Sequence, residues 1–208
     1  MKKWIAILLI AMMALNVTGC SKKVTEPEAQ ASDPAETTQT ETAETSEENA
    51  DKKILVAYFS ATGTTKGVAE KIAKLTGADL YEIVPQEPYT TEDLNYNNST
   101  SRSTSEQNDK SVRPEIGSED VGMEEYSRVY LGFPIWWGEE PRILDSFVEK
   151  YSFEGITVIP FCTSGGSGIG RSGSNMEELA GSGEWLEGKR FNGNVSENDL
   201  QSWIDGLN

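Results

Sequence analysis

From position 54 onward, apolar residues fall along the chain in short runs and periodic stripes. Ile54–Phe59 is a continuous apolar run, the pattern of a strand buried on both faces. Across Lys66–Leu75, Val68, Ile72 and Leu75 recur at helical spacing, and Gly77 supplies a stop. Leu80–Val84 reads as a second strand closed by Pro85, and Val129–Phe133 as a third. Pro141 opens a helix with Ile143, Leu144, Phe147, Val148 and Tyr151 on its buried face. Ile156–Phe161 is a fourth strand, and Asn175–Ala180 a short helix carrying Met176, Leu179 and Ala180. Trp185–Phe191 is a weak fifth strand. Ser196 with Asp199 predicts a capping box, followed by a last helix striped by Leu200, Trp203, Ile204 and Leu207. Residues 85–127 are polar and without a clear period, over a length that a plain loop rarely has.

Strands that alternate with helices predict an α/β fold: a three-layer, doubly wound, five-stranded parallel sheet with helices on both faces. In such sheets ligands sit outside the carboxyl ends of the strands, where the winding reverses. The loops that matter are therefore those after the first, third and fourth strands.

The first twenty residues stand apart from this pattern. Met1-Lys2-Lys3 is a short positive segment, and Trp4–Leu15 is apolar but short for a membrane span. It ends in Val17-Thr18-Gly19-Cys20, which resembles the bacterial lipobox. That resemblance implies that residues 1–19 are a signal peptide, with cleavage before Cys20 and a lipid on its sulfur. Anchoring by two acyl chains is stable where one is marginal, at about 0.8 kcal/mol per buried CH₂. Residues 21–51 are rich in Thr, Glu, Ala and Ser and have no aromatics, a composition that predicts a disordered tether. Residues 52–208 remain as one domain with a single sizeable core.

Charge narrows the partners. The nine acids and two lysines of the tether and the two lysines of the leader leave −11 of the chain's −16 to residues 52–208. An acidic domain on an acidic tether predicts no nucleic-acid partner and no flat docking on anionic lipid. The chain has no histidine, which removes Ser-His-Asp hydrolysis and His-ligated metal or haem, and no metal site is expected. With Cys20 lipidated, Cys162 is left alone after an apolar strand, the setting of a buried structural thiol.

The first of the three loops is Ser60-Ala61-Thr62-Gly63-Thr64-Thr65. It joins a strand to a helix start, where unpaired N–H groups and the positive dipole end suit a phosphate monoester. It lacks a GxxxxGK pattern, so it is no nucleoside-triphosphate loop. The alternative is a cluster of helix caps with no ligand. The second is Pro134-Ile135-Trp136-Trp137-Gly138-Glu139-Glu140-Pro141. Two adjacent tryptophans after a buried strand cannot both enter the core, so at least one faces the crevice, where indole stacks on a flat conjugated ring. The third, Thr163-Ser164-Gly165-Gly166-Ser167-Gly168-Ile169-Gly170, lets backbone approach a ligand closely. A GxGxxG match at Gly168–Gly173 lies past the fourth strand, the wrong place for a dinucleotide fingerprint.

Together these loops resemble the flavodoxins. ILVAYFSATGTTKGVAEKIA is similar to the flavodoxin phosphate loop with its flanking strand and helix. LGFPIWWGEEPRIL and IPFCTSGGSGIGRSGSNM resemble one bacterial, sometimes exported, flavodoxin-like subfamily, in which PYTTEDLNYNNSTSRSTSEQ also has a counterpart. The similarity spans about residues 52–208 and implies strand order 2-1-3-4-5 and non-covalently bound FMN. By motif, Ser60, Thr62, Gly63, Thr64 and Thr65 would hold the FMN phosphate. Pro134, Ile135, Trp136, Trp137 and Gly138 would border the isoalloxazine, and Thr163, Ser164, Gly165, Gly166, Ser167 and Gly168 would cover its other edge. The flavin-stacking tyrosine that many short flavodoxins carry in the last flavin loop has no counterpart here.

The resemblance implies a lipid-anchored electron carrier serving a redox protein or a small-molecule acceptor, with no catalytic acid or base. One alternative is an FMN-dependent reductase of quinones or small molecules fed by NAD(P)H, with Tyr89, Tyr96 and Arg102 of the 85–127 segment shaping a substrate pocket. Another is a binding lipoprotein that keeps the fold without flavin. The fold hosts such different roles.

Overall fold

The computed structural model describes residues 52–207. The leader, Cys20 and the tether lie outside the described residues. Strand β1 (Lys53–Tyr58) leads through the first loop into helix α1 (Thr64–Thr76), then β2 (Asp79–Glu82). A long excursion follows, containing helix α2 (Arg102–Asn108) and a 3₁₀ turn (Met123–Glu125). Then come β3 (Tyr126–Pro134), α3 (Arg142–Lys150), β4 (Thr157–Thr163) and α4 (Ser172–Ala180). The chain closes with β5 (Glu184–Trp185), β6 (Lys189–Phe191) and α5 (Glu197–Asp205).

All the strand pairings are parallel, and the order is β2-β1-β3-β4-β5, as the resemblance implies. The fifth position differs from the single strand expected over Trp185–Phe191. It is shared by β5, which pairs with Thr157 and Val158, and β6, which pairs with Phe161, Cys162 and Thr163. Pro160 explains the break. The carbonyls of Ile156 and Val158 accept from Glu184 and Leu186, so alternate residues of β4 present their backbone groups to this edge. Pro160 is next in that series and has no N–H to offer.

Strand alternation divides the core into two halves. Leu55, Ala57, Phe59, Val129, Leu131, Phe133, Val158 and Cys162 face α3 and α4, meeting Ile143, Leu144, Phe147, Val148 and Met176. Val56, Tyr58, Tyr130, Ile159 and Phe161 face α1 and α5, meeting Val68, Ala69, Ile72, Leu200, Trp203 and Ile204. These are the three layers that the apolar pattern predicts. At the last helix, the Ser196 hydroxyl oxygen accepts from the Asp199 N–H at 3.1 Å and the hydroxyl donates to the Asp199 carboxylate at 2.7 Å.

Helix α2 was not foreseen in the polar stretch. Its buried residues are Ser103, Thr104 and Glu106, and the side chains of Thr104 and Glu106 are held by hydrogen bonds where other helices use apolar contact. The Glu106 carboxylate accepts from Tyr89 Oη at 2.5 Å and from Arg102 Nε at 2.7 Å, and the Arg102 guanidinium lies 4.1 Å from the Tyr89 ring centroid. Burial, followed by the Glu106 contact, holds the Tyr89 phenol far above its ordinary range. Tyr89 and Arg102, expected as pocket residues, are thus tied up in the framework of the insert.

Candidate functional site

The loops after β1, β3 and β4 meet at the carboxyl end of the sheet. Two bonds bind them together. Thr65 Oγ1 lies 2.8 Å from Thr163 Oγ1 in a buried contact between the first and third loops. Ile135 N–H donates to Thr163 O at 3.0 Å, joining the second to the third.

In the first loop, Gly63 occupies the N-cap position of α1 with φ 83, and no side chain caps the helix. The hydroxyls are therefore not spent as caps, and the first-turn N–H groups keep their capacity for a ligand. Thr62 Oγ1 and Thr64 Oγ1 lie 3.4 Å apart in an exposed pair. Ser60 Oγ is buried and has no partner. A buried hydroxyl without a bond costs free energy, and the uncapped helix start that follows in the same loop is the kind of place that receives an anion. Lys66 turns away to Glu82 (3.2 Å), so no charged side chain of this loop enters the cup.

The second loop separates its two tryptophans. Trp136 is 4% exposed and packs edge-on against Phe59 (5.4 Å) and Tyr89 (5.0 Å). Trp137 is 54% exposed. Trp136 N–H donates to Glu139 O (2.9 Å), and Glu139 N–H donates to Trp136 O (3.1 Å). Between them Trp137 has φ 52 and Gly138 φ 88, the two left-handed residues of a type I′ turn. Trp137 is the one non-glycine residue with positive φ among those described. The exposed indole stands 5.6 Å from the ring of Tyr96.

The third loop is fixed at its root and open at its tip. Arg190 donates to Ser164 Oγ (3.1 Å), Ser164 O (2.8 Å) and Asn192 Oδ1 (2.7 Å). Ser164 also donates to Ser167 O. A Cβ added at Gly165, Gly166 or Gly168 would meet nothing within 4 Å. Gly170, in the GxGxxG match, instead serves packing: its φ is 60, and an added Cβ would come within 3.4 Å of Gly138 O in the second loop.

The loops enclose a crevice of about 510 Å³. Thr62 and Thr64 line one side, Pro134, Ile135 and Trp136 another, and Thr163, Ser164 and Gly165 a third. Ser60, Gly63 and Thr65 stand behind these walls, and Trp137 and Gly138 form the turn beside them. Gly166, Ser167 and Gly168 belong to the outer loop and do not line the cavity. Sequence reasoning missed Leu94 and Gly193 in the lining, and Arg190 behind it. Of the three residues named for the reductase alternative, Tyr96 lines the crevice and Tyr89 and Arg102 do not. An isolated tyrosine within Asn95-Tyr96-Asn97-Asn98 was the available signal for it.

Beneath the second loop lies a cluster of charges. Arg142 donates to Asp145 (2.8 Å) and Glu139 (2.5 Å), and Lys110 reaches Glu139 at 3.0 Å. The hydrogen bond from Lys110, with help from Arg142, holds Glu139 below the usual carboxylate range. Burial pushes Glu140 and Asp145 the other way. Cys162 lies buried under the crevice on β4, its thiol pushed up to about 12 by burial.

The arrangement accommodates a flat ring against aromatic and glycine walls and a phosphate at an uncapped helix start. The comparisons with known proteins agree with it. A family model described as Flavodoxin matches residues 53–207. The crystal structure of a provisionally named flavoprotein from Bacteroides eggerthii DSM 20697 is 46% identical, with a TM-score of 0.70, covering 74% of this chain and 97% of that one. Its counterpart from Bacteroides uniformis ATCC 8492 is 40% identical, with a TM-score of 0.71, covering 74% and 98%. A flavoprotein from Lactobacillus acidophilus NCFM, solved in complex with FMN, is 23% identical with a TM-score of 0.57 over 74% and 99%, a likeness of fold. Comparison with curated proteins gives no match. With a family model spanning its whole described domain and the expected three loops gathered at one crevice, the chain belongs to the flavodoxin family.

Proposed function

We propose that this domain binds FMN without a covalent link and serves as an electron-transfer flavoprotein, held at the outer face of a membrane by lipid on Cys20. The observation that carries the FMN reading is the cup of the first loop: an uncapped helix start, the exposed Thr62–Thr64 hydroxyl pair and the buried, unpartnered Ser60 hydroxyl. The first-turn N–H groups with Ser60, Thr62, Thr64 and the Gly63 backbone would hold the phosphate by hydrogen bonds and helix dipole alone. Thr65, bonded to Thr163, keeps the cup and the third loop in register. Pro134, Ile135, Trp136, Trp137 and Gly138 would border the isoalloxazine, with residues 163–168 along its other edge. When bound, FMN supplies the one- and two-electron chemistry, and the protein supplies orientation and electrostatics. The acidic domain disfavours added negative charge at the site, which lowers the potential expected of the flavin.

The partner is a redox protein or a small-molecule acceptor. A second reading, an FMN-dependent NAD(P)H:quinone or small-molecule reductase, is favoured by Leu94 and Tyr96, which bring the insert into the crevice wall. Steady-state oxidation of NADPH in the presence of a quinone would decide for it. The primary test is the visible spectrum of residues 21–208 after incubation with FMN and desalting. Retained flavin bands, lost when Thr62 and Thr64 are replaced by glutamate, are the expected result. A colourless protein that ignores FMN overturns both redox readings and leaves a binding lipoprotein. Metabolic labelling with a fatty acid in cells, lost in Cys20→Ala, tests the anchor.

A further inference from the structure

The insert between β2 and β3 does more than wall the crevice. The Glu106–Arg102–Tyr89 network fixes α2, and Tyr89 leans on Trp136, so the helix is seated at the root of the second loop. From that seat Gln107 Nε2 donates to two carbonyls, Trp136 O and Glu140 O, each at 3.0 Å. These carbonyls bracket the type I′ turn. Trp136 O also accepts from Glu139 N–H across the turn, so both of its lone pairs are engaged. The orientation of the amide is determined, because its oxygen in that place would meet two carbonyl oxygens.

We propose that Gln107 is the positioning residue of the flavin site, the clamp that holds the Trp136–Glu139 turn and the Trp137 indole where the isoalloxazine is received. The inference rests on the FMN reading above. Two unfavourable arrangements on either side of the clamp point to function. Trp137 occupies a left-handed conformation that bulky residues avoid, where Asn-Gly is the preferred pair for such a turn. Gln107 Oε1 is buried without a donor. A fold under selection for stability alone gains by removing both, and local strain of this kind gathers at ligand sites. Tyr96, from the same insert, lines the crevice and packs against the indole, so one segment grips the turn at its base and at its tip.

The test compares Gln107→Met, which keeps the length and apolar stem but cannot donate, with Gln107→Ala, and with Asn108→Ala on the exposed side of the same helix. Three quantities are read: urea stability, amide hydrogen exchange of Trp136 and Glu139 without FMN, and FMN affinity with the midpoint potential of the bound flavin. In the methionine variant the expected result is a modest fall in urea stability, because the buried carbonyls of Trp136 and Glu140 lose this donor while removal of the unpaired oxygen offsets part of the loss. Exchange at both amides should rise about tenfold, FMN binding should weaken about tenfold, and the potential should move. Asn108→Ala should leave all of them unchanged. Wild-type exchange, affinity and potential in both Gln107 variants would overturn the clamp while leaving the FMN reading intact. Wild-type protein that takes up no FMN would overturn the parent reading, and the exchange data would still report whether Gln107 holds the turn.

Discussion

Two glycines at opposite ends of α1 allow the phosphate cup to be tested against stability alone. Gly63 at the start has φ 83 and Gly77 at the end has φ 68. At neither would an added Cβ meet an atom within 4 Å. Replacing either by alanine therefore brings no clash, only the cost of a left-handed L-residue, about 1–2 kcal/mol. The stiffer unfolded chain returns about 0.4–1 kcal/mol of that. Each variant should lose about 1 kcal/mol, or about 2–4 °C in Tm for a domain of this size. The two differ in what occupies the open space: solvent at Gly77, and in the FMN reading the phosphate at Gly63. A methyl group there displaces the anion from at least one charge-assisted N–H bond, at about 1.5–3 kcal/mol, or about ten- to a hundredfold in Kd. Urea denaturation without FMN measures the first quantity, and quenching of flavin fluorescence on titration measures the second. Equal loss of affinity in the two variants, or full affinity in Gly63→Ala, would refute the assignment of the cup.

Other consequences can be measured independently of flavin. Gly132→Ala should destabilise by at least about 1–3 kcal/mol, because its Cβ would stand 2.2 Å from Phe161 Cζ inside the sheet core; a urea midpoint equal to wild type would refute that packing. Cys162, buried with its thiol pushed up to about 12, should react with a disulfide reagent at pH 8 only at the rate of unfolding, and prompt labelling of native protein would contradict this. Glu140 is held above its ordinary range by burial, so the wild type carries a cost that is absent at low pH. That cost builds as pH rises from the ordinary glutamate range to the raised folded value and persists above it. Glu140→Gln should therefore match wild type near pH 3 and exceed it in urea stability at pH 7; a glutamine variant weaker at pH 7 would mean that the ion pair with Arg142, at 3.7 Å, outweighs desolvation.

The sheet was legible because strands buried on both faces carry unbroken apolar runs through their middles, and β1, β3 and β4 do. The loops after them were legible because serine, threonine and glycine have few reasons to cluster between a strand and a helix. Helix α2 was not legible, because its buried side chains are Ser103, Thr104 and Glu106, and a stripe made of hydrogen-bonding groups leaves no hydrophobic period. The contribution of Gln107 is invisible in sequence for the same reason: its two acceptors are main-chain carbonyls about thirty residues away, and any residue supplies a carbonyl. The broken fifth position traces to Pro160 on the neighbouring strand, a long-range effect that no local pattern in residues 184–191 carries.

That break has a bearing on how copies of the domain behave when crowded. An open parallel sheet exposes a row of unpaired backbone groups along each lateral border, a template for unwanted cross-β growth. Here one border offers only two residues and then three, interrupted opposite Pro160, and the other offers four, with aspartate and glutamate at its ends. Neither presents enough uninterrupted ladder for another chain to zip onto. At high concentration the domain should therefore resist fibrillar association, at one border through its shortness and charged ends and at the other through the proline that divides the last strand.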